Sequence, residues 1–154
     1  MQGGIQRLVV KERRGILTMI HEEICTYEVC KLAKEKGFPQ DPDKNDHCLM
    51  YCWDGLRNIH PLAMWIVWEM EEYDHDNLYA APTQSLLQRW LREEKALYIQ
   101  ITLWEKGWYY DIWAFEYYEE EKEYAAKNIY QSSDFDTYEL ALEDALKYAL
   151  ENLV

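Results

Sequence analysis

The stretch Leu97–Tyr118, LYIQITLWEKGWYYDIWAFEYY, decides the fold class. In its first half Ile99, Ile101 and Leu103 alternate with Gln100, Thr102 and Trp104, the period-two pattern of a strand with one buried face. Glu105-Lys106-Gly107 then reads as a tight turn, and Trp108–Tyr118 returns as a second strand. Alternation places Trp108, Tyr110 and Ile112 on one face and Tyr109, Trp113 and Phe115 on the other. Helices cover only one face of a sheet in a two-layer domain. The second face therefore either packs against other strands of the chain or stays open as a binding surface.

Working outward, Pro82 stands at a helix start, and Leu86, Leu87, Trp90 and Leu91 give an apolar face that ends near Lys95. Downstream, the charged segment Glu119–Lys127 reads as a loop or a short edge strand reaching Tyr130. Asp136 with Glu139 then forms a capping-box-like start, and Leu142, Ala145, Leu146, Ala149, Leu150 and Leu153 make a continuous helical stripe. Upstream, Thr26 is placed to cap a helix running to Lys36, with Gly37 where a C-terminal stop belongs. Phe38–Asp46, with Pro39 and Pro42, is a loop. The apolar runs Cys48–Trp53 and Leu62–Met70 read as an antiparallel pair, joined through Asp54-Gly55 and a polar linker ending at Pro61. The second run also fits a short helix. Glu69–Leu78 is acidic and reads as exposed. The expected architecture is a single two-layer α+β domain over 19–154, an antiparallel sheet with helices about 26–36, 82–95 and 136–153.

Charge and aromatic content bound the function. The 154 residues carry a net charge of −13, yet include seven Trp and thirteen Tyr. Acidic disordered tails are poor in aromatics, so this chain folds around a core while presenting a negative surface. Arg7, Lys11, Arg13 and Arg14 against Glu12 give residues 1–18 a charge of +3, leaving −16 for 19–154. With Gly3, Gly4 and Gly15 and little apolar periodicity, 1–18 reads as a disordered basic extension. The negative surface repels phosphates and anionic membranes and attracts basic proteins. No run approaches the roughly 20 apolar residues of a membrane span, so the expectation is a cytoplasmic protein with no direct nucleic-acid binding.

No catalytic motif of the GxSxG, P-loop or GxGxxG kind occurs. Cys25, Cys30, Cys48 and Cys52 form no CxxC pair; Cys48 and Cys52 with His47 lack the second half of a zinc pattern. Cys30 reads as a small buried hydrophobe. Glu69, Glu71, Glu72, Asp74, His75 and Asp76 are the densest group of possible ligands or acid–base residues, but their spacing matches no calcium loop. No metal or cofactor is expected. The candidate binding residues are the hairpin aromatics Trp104, Trp108, Tyr109 and Trp113, with Glu119, Glu120 and Glu121 as an acidic rim. Exposed Trp and Tyr concentrate binding energy at protein interfaces, and they also stack on planar ligands.

Three segments carry a resemblance: Thr26–Phe38 (TYEVCKLAKEKGF), Ala81–Leu103 (APTQSLLQRWLREEKALYIQITL) and Asp136–Leu153 (DTYELALEDALKYALENL). In this order they resemble a family of small uncharacterised proteins of phages, prophages and conjugative elements of gut anaerobes. The resemblance implies a genetic setting rather than a reaction. The order of helix 82–95, hairpin 97–118 and helix 136–153 also resembles double-stranded RNA-binding domains. There, lysines before the last helix grip phosphates; here Ser133, Asp134, Phe135, Asp136 and Thr137 occupy those positions, and their acids would repel RNA. The expected function is a non-enzymatic acidic binding protein of mobile-element type that engages a basic host protein, with nucleic-acid mimicry as one mode. Two alternatives stand beside it. One is a small-molecule or nucleotide-binding protein, open to homo-oligomerisation, with Arg89, Arg92 and Lys95 as its cations; the other is a metal-dependent enzyme built on the 69–76 acids.

Overall fold

The computed structural model describes residues 22–41, 49–53, 59–63, 78–105, 107–119 and 123–154. The 1–18 extension, the His47–Cys48 pair and the acidic group 69–76 lie outside them. The elements are α1 (Tyr27–Glu35), β1 (Leu49–Trp53), β2 (Ile59–Ala63), β3 (Leu78–Ala81), α2 (Gln84–Lys95), β4 (Leu97–Trp104), β5 (Gly107–Tyr118), β6 (Glu123–Phe135) and α3 (Tyr138–Asn152). The fold is α+β, with helices where the apolar periodicity puts them. The strands, however, divide between two antiparallel three-stranded sheets, ordered β2-β1-β3 and β4-β5-β6, rather than forming one.

Each helix starts on a threonine whose hydroxyl accepts an otherwise orphaned backbone N–H. Thr26 accepts from Val29, Thr83 from Leu86 and Thr137 from Leu140. For α3 the cap is thus Thr137, the residue after Asp136, and α2 begins at Gln84, two residues after the Pro82 at which the sequence placed its start. At the far end of α1, Gly37 turns with φ +90°, and nothing lies within 4 Å of where its Cβ would stand, so conformation alone requires glycine there. Helix α2 ends on Ala96 in the left-handed region at φ 53°, a position that glycine fills without steric cost.

The core forms around α3. Ala141, Leu142, Ala145, Leu146, Ala149 and Leu150 are all buried, and α3 packs on α1, α2 and all three strands of the second sheet. Burying leucines such as Leu142, Leu146 and Leu150 contributes roughly 1.5–3 kcal/mol each. On one side, Tyr110 of β5 donates to Asp144 at 2.8 Å, Trp108 meets Tyr138 edge-on, and Tyr130 of β6 stacks on Tyr148. On another, Glu143 ties three helices together: its Oε1 accepts from Thr26 N at 2.8 Å and its Oε2 from Gln84 Nε2 at 2.8 Å. A carboxylate at two helix N-termini also lies at the positive ends of both dipoles.

The first sheet is fixed to this core by α1, with Tyr27 packed edge-on against both Tyr51 and Tyr79. Its β1–β2 pairing runs Leu49↔Ala63 to Trp53↔Ile59, so the partner strand lies upstream of the apolar run Leu62–Met70. Pro61 is inside that strand, tolerated because β2 is an edge and one side of it needs no N–H donor. Leu78, read as the end of an exposed acidic segment, is buried in β3, which pairs with β1. The outer edge of β3 is covered by side chains: Ala80 N donates to Gln40 Oε1, and Lys34 Nζ donates to the Leu78 carbonyl.

Strand β6 is the largest departure from the sequence expectation. It spans thirteen residues, continues past Tyr130, and takes in Ser133, Asp134 and Phe135. Register shifts between Trp108 and Tyr110 and between Ile112 and Trp113 break its alternation twice, which removes the periodic signal of a strand.

Burial holds the Tyr110 phenol well above the ordinary tyrosine range, and its hydrogen bond to Asp144 adds to this. The folded state then keeps that proton more tightly than the unfolded chain does. The contribution is whole below the unfolded value near 10 and is lost as pH rises through the folded one. Urea unfolding between pH 8 and 11 should therefore show stability falling above about pH 10. Tyr110→Phe should flatten that fall and cost about 1–2 kcal/mol at pH 7. Ala96→Gly should raise stability by roughly 0.5–1 kcal/mol, the reverse of the usual effect of glycine, because it relieves the left-handed φ.

Candidate functional site

The β4–β5 register, from Leu97↔Ala114 to Trp104↔Gly107, fixes which side chains share a face. Leu97, Ile99, Ile101 and Leu103 stand with Trp108, Tyr110, Ile112 and Ala114, and α2 and α3 cover this face except at the hairpin tip, where Leu103 is 55% exposed. Tyr98, Gln100, Thr102 and Trp104 stand with Tyr109, Asp111, Trp113 and Phe115 on the other. No described helix or strand packs broadly on that second face. Trp104 is 68% exposed, Phe115 45% and Tyr98 38%. Among the described residues, this face is exposed at Tyr98, Trp104 and Phe115 and closed at its middle, where Asp111 is buried and Tyr109 and Trp113 are half-buried.

The exposed rings organise one another. Tyr98 and Phe115 meet edge-on with centroids 4.8 Å apart. Between the aromatics Asp111 is only 8% exposed and accepts from Asn128 Nδ2 of β6 at 2.7 Å, which satisfies a carboxylate screened by its neighbours. Trp113 is half-buried, and its indole N–H is enclosed with no acceptor among the described residues.

At the hairpin tip lies a cleft of about 460 Å³, lined by Trp104 and Tyr109 of this face, by Gly107 and Trp108, whose ring also meets Tyr138 of α3, and by Gln131–Asp134 of β6. The cleft owes its shape to a bulge. Trp108 pairs with Phe135 and Tyr110 with Ser132, so Ser133 and Asp134 stand opposite the single residue Tyr109. Asp134 takes the left-handed conformation, φ 74°, which aspartate tolerates better than most residues. Its Cα would lie 3.7 Å from a Cβ at Gly107, so the bulge carries this carboxylate onto the hairpin tip.

Of the candidate residues, Trp104, Trp108 and Tyr109 come together in the cleft, while Trp113 lies farther along β5. The acidic rim does not join them. Glu119 is exposed at the opposite end of β5, eleven strand steps from Trp108, or about 35 Å at ~3.3 Å per residue. Glu120 and Glu121 lie outside the described residues. Sequence reasoning missed the polar wall Gln131, Ser132, Ser133 and Asp134, assigning its last two members to the approach to the final helix. The signal available was the polar run Gln131-Ser132-Ser133-Asp134 after the apolar Ile129-Tyr130, a composition suited to a bulge.

The three α2 cations do not converge on the aromatics. Arg89 pairs with Glu93 at 2.8 Å, and Arg92 lines a shallow groove with Glu22, Thr83, Ser85 and Arg89. Lys95 lies 5.1 Å over the Trp90 ring. Glu22 in that groove is held below the usual carboxylate range by hydrogen bonds from Ser85 and then Thr83. Cys25 and Cys30 are buried, with the Cys30 thiol donating to the Cys25 carbonyl at 3.5 Å. Among the described residues no group of His, Cys, Asp and Glu is arranged to hold a metal ion, and no described helix is long and apolar enough to cross a membrane.

Comparison with protein-family models, with curated proteins and with solved structures finds no match to the chain.

If the hairpin-tip aromatics serve binding rather than packing, removing the most exposed one should leave stability nearly intact. Trp104→Ala is expected to change the unfolding free energy by less than about 0.5 kcal/mol in a urea titration. Leu146→Ala, in the core, should cost about 2–5 kcal/mol in the same measurement.

Proposed function

We propose that this is a non-enzymatic acidic binding protein that engages a basic partner protein through the open face of its second sheet. The observation that carries the reading is the set of exposed aromatics Tyr98, Trp104 and Phe115 on a chain of net charge −13. Large exposed rings lower the solubility of a protein that keeps them bare, and they are the side chains that anchor protein interfaces. The surrounding negative charge speeds encounter with basic surfaces and discourages nucleic acid. The partner class is a host protein with a positively charged surface, of the kind that itself binds nucleic acid. The mobile-element setting rests on the resemblance of Thr26–Phe38, Ala81–Leu103 and Asp136–Leu153 to that family.

A nucleotide-sequestering role is the second reading, favoured by the size of the cleft and its three rings. It needs cations for the phosphates. Those of α2 precede β4, whereas the cleft lies beyond its far end, seven strand steps or about 23 Å from Leu97 at ~3.3 Å per residue.

The test uses the full chain, immobilised and exposed to nuclease-treated lysate at about 0.05 M and about 1 M salt. A basic protein should be retained at low salt, weakened at high salt by screening, and lost when Tyr98, Trp104 and Phe115 are changed together to Ser. Retention that ignores both salt and this triple substitution would overturn the proposal.

A further inference from the structure

We infer that the cleft between the β4–β5 tip and the β6 bulge seats an arginine side chain of the basic partner. The inference rests on the proposed protein-binding function and names the chemistry of its central contact. Four features of the cleft point the same way. Trp104 at the end of β4 and Trp108 and Tyr109 at the start of β5 line the cleft, and tryptophan is the ring that holds a cation most strongly. Asp134 brings a carboxylate to the same cleft. Among the described residues its carboxylate receives one hydrogen bond, from Ser133 Oγ at 3.3 Å, which is long for a hydroxyl meeting a charged acceptor. Ser132, Ser133 and the side-chain carbonyl of Gln131 are further acceptors on that wall. No cationic side chain stands among the described lining residues.

An arginine fits this set better than a lysine does. The guanidinium is planar and weakly hydrated, so it can lie against a ring face while its edge donates to a carboxylate and to hydroxyls. A lysine ammonium is a compact, strongly hydrated point charge and gives up more hydration on entering an aromatic cleft. A nucleotide would bring phosphates beside Asp134, where repulsion opposes it. The bulge is what makes the arrangement: with a regular β6, Asp134 would not be carried over Gly107.

The experiment titrates the intact protein with three peptides of equal length, alternating glycine with arginine, with lysine or with citrulline. Indole N–H signals in two-dimensional NMR and tryptophan fluorescence report binding. The arginine peptide should bind about tenfold more tightly than the lysine peptide, an advantage of ~1.4 kcal/mol, and the citrulline peptide should not bind measurably. Trp104→Ala and Asp134→Asn should each weaken arginine-peptide binding about five- to tenfold. Glu94→Gln, an exposed charge change on α2, should leave it within twofold.

Equal binding of arginine and lysine peptides, unaffected by Trp104→Ala, would overturn the arginine seat while leaving the engagement of a basic partner in place. Failure of both cationic peptides together with failure to retain any basic protein would overturn both. Quenching by ATP but by none of the peptides would overturn the seat in favour of the nucleotide reading. Should Asp134→Asn unfold the protein, the intact chain titrated with the arginine peptide at about pH 7 and at about pH 3, where carboxylates are protonated, supplies the comparison, with binding expected to weaken at the lower pH.

Discussion

The two-sided burial of α3 is the constraint on which the rest of the structure depends. A helix whose apolar stripe is built from alternating alanine and leucine can be approached closely along the alanines while the leucines fill the space between backbones. Ala141, Ala145 and Ala149 alternate in this way with Leu142, Leu146 and Leu150, and all six are buried. The second sheet takes one side of the helix, through Tyr110, Trp108 and Tyr130, and the helix N-termini take another, through Glu143. Both sets of neighbours must be in place before the helix is desolvated. Glu143 is then more than a surface charge: it accepts from the Thr26 N–H at the start of α1 and shares the nearly buried Gln84 side-chain amide of α2 with the Glu139 carbonyl.

That arrangement has a geometric consequence. Once α2 and α3 occupy one face of the β4-β5-β6 sheet, the opposite face can be covered only by a second layer. Among the described residues, Tyr98, Trp104 and Phe115 on that face are exposed and stand outside the core. A chain selected only for solubility would place charged or small polar residues at Tyr98, Trp104 and Phe115, since the apolar area they expose returns nothing to folding. The physical case for binding rests on this mismatch between where the large rings are and where the core is.

The helices were legible from their apolar faces because a period of 3.6 residues is sampled several times within each one. The β4–β5 hairpin was legible for the same reason at period two, including the assignment of Tyr109, Trp113 and Phe115 to one face. The failures have definite causes. Strand β6 lost its periodicity at two bulges, and a charged flank made its beginning look like a loop. Strand β2 contains Pro61, which reads as a break unless its edge position is known. Strand β3 is four residues long, too short for a pattern, and buried Leu78 sits directly after an acidic run. The cap of α3 was misplaced by a single residue because Asp136 and Thr137 are both competent to accept an N–H, whereas the Thr26 cap of α1 was read correctly.

The candidate site divides along the same line. Sequence by itself determined the α+β class, the three helices, the central hairpin, the negative charge and the identity of the aromatic residues that crowd the hairpin. These follow from local spacing and composition, which need no knowledge of distant contacts. Only the tertiary structure decided that the strands form two sheets, that Tyr98, Trp104 and Phe115 are exposed, and that Asp134 joins Trp104, Trp108 and Tyr109 while Glu119 stands beyond the opposite end of β5. Those outcomes depend on which elements pair and where a bulge adds a residue, and a linear chain carries no local signal for either. Residues separated by a hairpin turn become neighbours or strangers according to register, and register is settled by burial against α3.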